Sequence, residues 1–232
     1  HELPKVYSIV RSLAQRQDMP MPKLYLIDSP QPNAFATGRS PKHAAVAVTT
    51  GIMDLMDHAE LEGVLAHELS HVKNRDILIA SIAATVAIAL SFLVRIAFWT
   101  GMGRNRRGSN PLSMVIGILA IILAPLAAMV IQMAISRSRE YQADRSGAEI
   151  TGSPLSLAQA LDKLEKGTSK IPMQVDASTA QLFIADPLKS FGRRDRQAGG
   201  GMGRFARMFS THPPIEDRIE RLQEMASGSL FR

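Results

Sequence analysis

His67 and His71 lie four residues apart with Glu68 directly after the first, in the run His67-Glu68-Leu69-Ser70-His71. On an α-helix, residues i and i+4 sit one turn apart on nearly the same face, so both imidazoles can present Nε2 to a single metal ion. Glu68 then stands beside that ion, where a carboxylate can take a proton from water. The competing reading is a pair of surface histidines that happen to flank a glutamate. It is disfavoured because a later segment offers carboxylates at helical spacing, able to supply a third ligand.

A helix must position this trio, and the flanking residues encode one. Asp57 followed by Glu60 forms a capping-box signature, and Leu61, Val64, Leu65, Leu69 and Val72 recur at helical spacing as a core-facing stripe. Gly63, one turn before His67, leaves its face bare enough for a substrate or another backbone to approach.

The second carboxylate source is Ser136-Arg137-Ser138-Arg139-Glu140-Tyr141-Gln142-Ala143-Asp144. Glu140 and Asp144 share a helical face, and Ala143, Gly147 and Ala148 keep the neighbouring positions small enough for close packing. Glu140 is expected as the third metal ligand, and Asp144 as acceptor of a ligand histidine's outer N–H. A solvated acidic face paired with Arg137, Arg139 and Arg145 is the alternative.

Composition narrows the chemistry further. The 232 residues include no cysteine, so a metal here takes nitrogen and oxygen ligands, and disulfides are excluded. The net charge is +6, yet there is no Gly/aromatic RNA-binding pattern and no DNA-reading helix. Nucleic acid is therefore not expected as a partner; the arginines flank apolar segments, which points to a membrane surface.

Two such segments occupy the middle of the chain. Ile77 to Trp99 is apolar apart from Ser81, Thr85, Ser91 and Arg95, and Met114 to Ile135 is interrupted by Pro125 and Gln132. Each is long enough to cross about 30 Å of hydrocarbon at 1.5 Å per residue. Arg95 is near an end, where it can snorkel, and Trp99 is placed as an interfacial anchor. The intervening loop holds Arg104, Arg106 and Arg107, while Lys73, Arg75, Arg137 and Arg139 flank the other ends, so charge does not decide topology. The chain thus divides into residues 1–76, a hairpin over 77–136, and residues 137–232. Its first residue is His1, which suggests a fragment lacking its natural amino terminus.

The remaining elements frame the site. Leu3, Val6, Val10 and Leu13 mark an amphipathic helix; Lys23 to Asp28 and Ala44 to Thr49 read as strands. Between the strands, Asn33, Ala34, Phe35, Ala36 and Thr37 suit an edge strand that could hold an extended peptide by its main chain, or a plain structural hairpin. Pro154 opens another helix with Leu157, Ala158, Leu161 and Leu164 inward. Phe191 to Phe209 is rich in arginine and glycine and is given no catalytic role. Thr211-His212-Pro213-Pro214 opens a last helix with the stripe Ile215, Ile219, Leu222 and Ala226.

The order HELSH, two hydrophobic segments, REYQADRSGA, with NAFATG upstream and STHPP downstream, resembles the HtpX-type membrane zinc metallopeptidases, relatives of the CAAX prenyl endopeptidases. The resemblance implies an α+β, mainly helical fold: a zincin-like core with a small β-sheet and a transmembrane helical hairpin. It implies one zinc ion on His67, His71 and Glu140, Glu68 as catalytic base, Asp144 behind a ligand, and His212 near the metal as a donor to the oxyanion. It further implies a catalytic domain on the cytoplasmic side of a bacterial or archaeal inner membrane, cleaving polypeptides such as misfolded membrane proteins. A prenyl-protein endopeptidase, or a non-catalytic membrane adaptor with a structural zinc, are the alternatives. A catalytic zinc keeps one position open, whereas a structural one is closed by a fourth side chain.

Overall fold

The computed structural model describes residues 3–104, 111–168 and 213–228. His212 and the arginine- and glycine-rich stretch 191–209 lie outside the described residues. Two compact units result: one formed by the chain up to Ile77 together with the part from Arg137 onward, the other by Leu78–Ser136.

In the first unit, helix α1 (Leu3–Arg16) is followed by strand β1 (Lys23–Ile27), strand β2 (Ala34–Gly38), a 3-10 turn at Pro41–His43, and strand β3 (Ala44–Thr49). The sheet order is β1-β3-β2, with β1 parallel and β2 antiparallel to β3, so β2 is an edge strand. In the register Leu24 faces Val46, and Ala36 faces Val46 from the other side. Of the segment from Asn33 to Thr37, Ala34 to Thr37 lie in this edge strand and Asn33 directly precedes it. Its entry is fixed by Thr49, whose hydroxyl accepts the Asn33 N–H at 2.8 Å and donates to the Gln31 carbonyl at 2.7 Å. Tying both partners into β3 satisfies backbone groups that burial would otherwise strand.

After the short helix α2 (Thr50–Leu55) comes α3 (His58–Lys73), the helix that carries the HELSH run. Its start is the expected capping box: the Asp57 carboxylate accepts the Glu60 N–H and the Glu60 carboxylate accepts the Asp57 N–H, each at 2.9 Å. Glu60 is also paired with Lys163 at 2.7 Å, which fastens the start of α3 to helix α6 (Pro154–Thr168). Leu61, Val64, Leu65, Leu69 and Val72 are all buried, joined in one core by Val6, Val10 and Leu13 of α1, Val46 and Val48 of β3, and Leu157, Leu161 and Leu164 of α6. Gly63 admits a backbone rather than a substrate: a Cβ there would lie 3.2 Å from the Leu157 Cα of α6.

Helix α3 ends at a sharp turn. Arg75 takes φ 56°, a left-handed conformation uncommon for a residue with a side chain, and the chain restarts at once as α4 (Asp76–Arg104). The other long helix, α5 (Pro111–Thr151), contains Pro125, and helix α7 (Ile215–Ala226) completes the described elements.

The second unit holds the apolar parts of α4 and α5. Both helices are long and apolar enough to cross a membrane, with hydropathies of 2.6 and 2.5 and none of the apolar window buried within the protein. Side chains such as Ile88, Phe92, Leu93, Ile122 and Ile131 face outward, the reverse of a soluble core helix. Inside the hairpin, Gly117 lets the Phe98 ring lie against α5, where a Cβ would meet it at 2.6 Å. The architecture is the expected one: mainly helical, a small sheet and a pair of membrane-compatible helices.

Candidate metal centre

Helices α3 and α5 meet face to face around His67. Gly147 makes this possible, because a Cβ there would sit 3.0 Å from the His67 backbone nitrogen and 3.2 Å from its Cα. Ala143 and Ala148 on the same face are fully buried. Gly147→Val places branched carbons against main chain that cannot swing aside, so it is expected to part the helices and weaken metal binding by at least about tenfold. Titration with a competing chelator measures it; unchanged affinity would count against this packing account.

The approach brings three donors together. The Nε2 atoms of His67 and His71 are 3.1 Å apart, and each lies 3.7 Å from one oxygen of Glu140. These three are the group of potential ligands among the described residues. The outer nitrogens are held as well: His67 Nδ1 is 2.9 Å from Asp144 Oδ1, and His71 Nδ1 is 2.7 Å from Asp76 Oδ2. Asp76 is placed there by the turn at Arg75, and Arg139 pairs with its other oxygen at 2.9 Å.

This arrangement fits a divalent metal. With both Nδ1 atoms facing carboxylates, the two Nε2 atoms turn towards each other and towards Glu140, and Arg218 Nη2 lies 3.3 Å from the His67 Nε2; a set of acceptors this close is repulsive unless a cation or a proton lies among them. The separations match the edge of about 3.4 Å expected when ligands stand about 2.1 Å from a tetrahedral ion.

Glu140 and Asp144 are buried, at 7% and 4% exposure, so they are not a solvated acidic face. Arg139 is paired with Asp76, and Arg145 with Glu149 on its own helix. Their cation is instead Arg218 from α7, fully buried, which grips both oxygens of Asp144 at 2.7 and 2.6 Å and lies 3.3 Å from Glu140. Arg221, one turn on, stacks 3.8 Å over the Tyr141 ring and adds a second tie between α7 and α5. Arg218 and Asp76 are the two residues of this centre that the sequence reading missed. Arg218 does leave a trace in the sequence, being a charge set among Ile215, Ile219 and Leu222 on the inward stripe of its helix.

Glu68, 7% exposed, lies on the same face as the histidines, and its Oε2 accepts the Ala36 N–H of β2 at 2.9 Å. Edge strand and carboxylate are thus joined directly. Of the edge segment, Asn33 and Ala34 are buried, whereas Phe35, Ala36 and Thr37 retain access to solvent.

Charge coupling sets the protonation of the centre. Burial alone would raise the Asp144 carboxyl, but Arg218 and His67 outweigh it and hold the pKa down at about 2. Burial would lower His71, but the hydrogen bond it donates to Asp76 and the Glu140 and Glu68 charges prevail and raise it to about 9 in the metal-free protein. Arg218 is held still more firmly protonated than usual: burial opposes its charge, and Asp144 overrides that. A depressed carboxyl stabilises the fold above its unfolded pKa and loses that contribution as pH falls towards about 2. A raised histidine stabilises the metal-free fold below its unfolded pKa of about 6.5 and loses it as pH rises through about 9. Metal must displace the His71 proton, so apparent metal affinity is expected to climb by up to about tenfold per pH unit below about 9. Metal-buffered titrations between pH 6 and 9 check this; a flat profile would refute it.

Comparison with known proteins follows the same lines. The profile of peptidase family M48 matches residues 1–226. Proteins named Protease HtpX homolog are similar over nearly all of the chain: that of Thermodesulfovibrio yellowstonii is 52% identical over 227 residues, covering 97% of this chain and 76% of its own. That of Aquifex aeolicus is 50% identical, with 97% and 72% covered, and that of Burkholderia thailandensis 51%, with 98% and 76%. The fold also matches the crystal structure of S. mikatae Ste24p, with a TM-score of 0.57 at 23% identity; the match covers 94% of this chain and spans about half, 49%, of that one. With a family profile matched along almost its whole length and relatives sharing half its residues, the chain belongs to peptidase family M48, the metallopeptidases.

Proposed function

We propose that this metalloprotease is a zinc-dependent endopeptidase anchored by the α4–α5 hairpin, in which residues 1–76 and 137–232 form the two halves of one catalytic domain. The observation that carries the reading is the convergence of two imidazoles and one carboxylate beside Glu68, with both outer imidazole nitrogens already held by carboxylates. His67, His71 and Glu140 would hold the ion. Three protein donors leave a coordination position for water, as catalytic zinc needs and a closed structural site does not. When bound there, zinc would supply Lewis acidity, lowering the pKa of water towards about 7 and polarising a carbonyl.

The protein's own groups do the rest. Glu68 receives the proton of the attacking water and passes it to the leaving amine. The Ala36 N–H keeps one Glu68 oxygen fixed, so the other is the free base. A peptide extended along β2 would be held through main-chain hydrogen bonds, without dependence on its side chains. Asp144 and Asp76 orient His67 and His71, and Arg218 holds Asp144 ionised in its buried position. His212 is assigned the donor role at the oxyanion by the resemblance that places it before the α7 helix.

The substrates this reading assigns are polypeptides, misfolded membrane proteins foremost, met from the cytoplasmic face of a prokaryotic inner membrane. The test pairs zinc content with casein cleavage for the unaltered protein and Glu140→Ala. Glu140→Ala is expected to lose most of its zinc together with its activity. Full zinc occupancy in that variant would remove Glu140 from the ligand set.

A further inference from the structure

Within the hairpin unit, α4 and α5 border a groove of about 390 Å³ lined in part by polar side chains, which membrane helices rarely carry. Arg95, Ser91 and Gln132 share its lining with Ile88, Phe92 and Met129. Arg95 precedes Trp99 by four residues, roughly 6 Å along the axis. Helical side chains lean towards the start of their helix, and the α4 part of the lining runs back from Arg95 to Ala87. The Arg95 side chain is thereby placed to reach along this groove.

Arg95 forms no hydrogen bond or ion pair among the described residues. Nor can the hairpin answer its charge, because residues 77–136 contain no aspartate or glutamate. A second copy of the same hairpin fails for the same reason. The Ser91 hydroxyl is spent on the Ala87 carbonyl at 2.9 Å, which leaves the Arg95 guanidinium and the Gln132 amide as the donors lining the groove. The missing partner is thus an acceptor, anionic, and carried into the hydrocarbon layer on something apolar.

We infer that the groove receives a transmembrane segment of another protein that carries an aspartate or glutamate, its carboxylate pairing with Arg95 and Gln132 while its apolar neighbours lie on Ile88, Phe92 and Met129. Such a carboxylate is normally covered by a partner helix in an assembled membrane protein. Left uncovered in a misassembled one, it is the feature this groove recognises. The inference names a substrate class for the endopeptidase proposed above and rests on that reading for the fate of the bound segment, though not for the binding.

Binding is measured with the full chain in phosphatidylcholine nanodiscs, by energy transfer from a labelled single-span polyleucine segment bearing one central Asp, Leu or Lys. The unaltered protein is expected to bind the Asp segment at least about tenfold more tightly than the Leu segment. Arg95→Leu should abolish that preference, and Arg95→Glu should transfer it to the Lys segment. Equal binding of Asp and Leu segments, or a preference that survives Arg95→Leu, overturns the inference. So does displacement of the Asp segment by phosphatidylglycerol to the Leu level, which would make a lipid phosphate the occupant. Casein cleavage by the same preparations separates the two readings: its absence in the unaltered protein counts against the endopeptidase, and its retention in Arg95→Leu shows that variant folded.

Discussion

Glu68→Gln is expected to lower peptide cleavage by at least about a hundredfold while zinc content stays that of the unaltered protein. The substitution is nearly isosteric, and its side-chain oxygen can still accept the Ala36 N–H that now reaches Glu68 Oε2 at 2.9 Å. The amide cannot accept a proton from water, so what disappears is the proposed base and little else. The neighbouring ligands keep their Asp144 and Asp76 partners, which lie elsewhere on the rings. Cleavage rate and metal stoichiometry measured on one preparation decide the matter. Proteolysis within a few-fold of normal would take the base role from Glu68.

Arg218→Leu is expected to destabilise the fold by about 3–5 kcal/mol, the range seen when one partner of a buried ion pair is removed. Arg218 is fully buried and holds Asp144 by two hydrogen bonds, with Glu140 3.3 Å away. Without it two buried carboxylates face each other uncompensated, and the Asp144 pKa must rise. His67 then loses a firm Nδ1 acceptor, so metal affinity falls together with stability. Arg218→Lys should recover only part of the loss, because an ammonium cannot match both oxygens of a carboxylate in one plane. Adding Asp144→Asn to Arg218→Leu should restore some stability without restoring metal affinity. Denaturant midpoints and chelator titrations measure the two quantities, and a loss below about 1 kcal/mol for Arg218→Leu would show the pair to be dispensable.

The sequence displayed those parts of the centre that local geometry encodes. Spacing within one helix places His67 beside His71 and Glu140 beside Asp144, and the Asp57–Glu60 capping box marks where α3 starts. The small residues around Gly147 foretold a close helix contact, though not that its partner is the His67 backbone. Asp76 was hidden because it reaches His71 across the left-handed turn at Arg75, which no helical spacing describes. Arg218 was hidden by distance along the chain: its place on the inward stripe hints at burial, but nothing local names Asp144, 74 residues earlier, as its partner. The parallel pairing of β1 with β3 was likewise beyond local pattern, since it joins segments that a further strand separates.

The order of these residues along the chain bears on when the protein becomes active during its synthesis. Glu140 follows His71 only after the whole hairpin, and Arg218, which neutralises the buried carboxylates, follows later still. A ribosome releases its product from the amino end at about 5–20 residues per second, so the HELSH helix emerges seconds before its counterparts. Until then it has Glu68 and two imidazoles but neither Glu140 nor the cation that makes burial of that carboxylate tolerable. On the proposed ligand set, a nascent chain stalled before the hairpin would be inert, and proteolytic competence would arrive only after both apolar helices have been made.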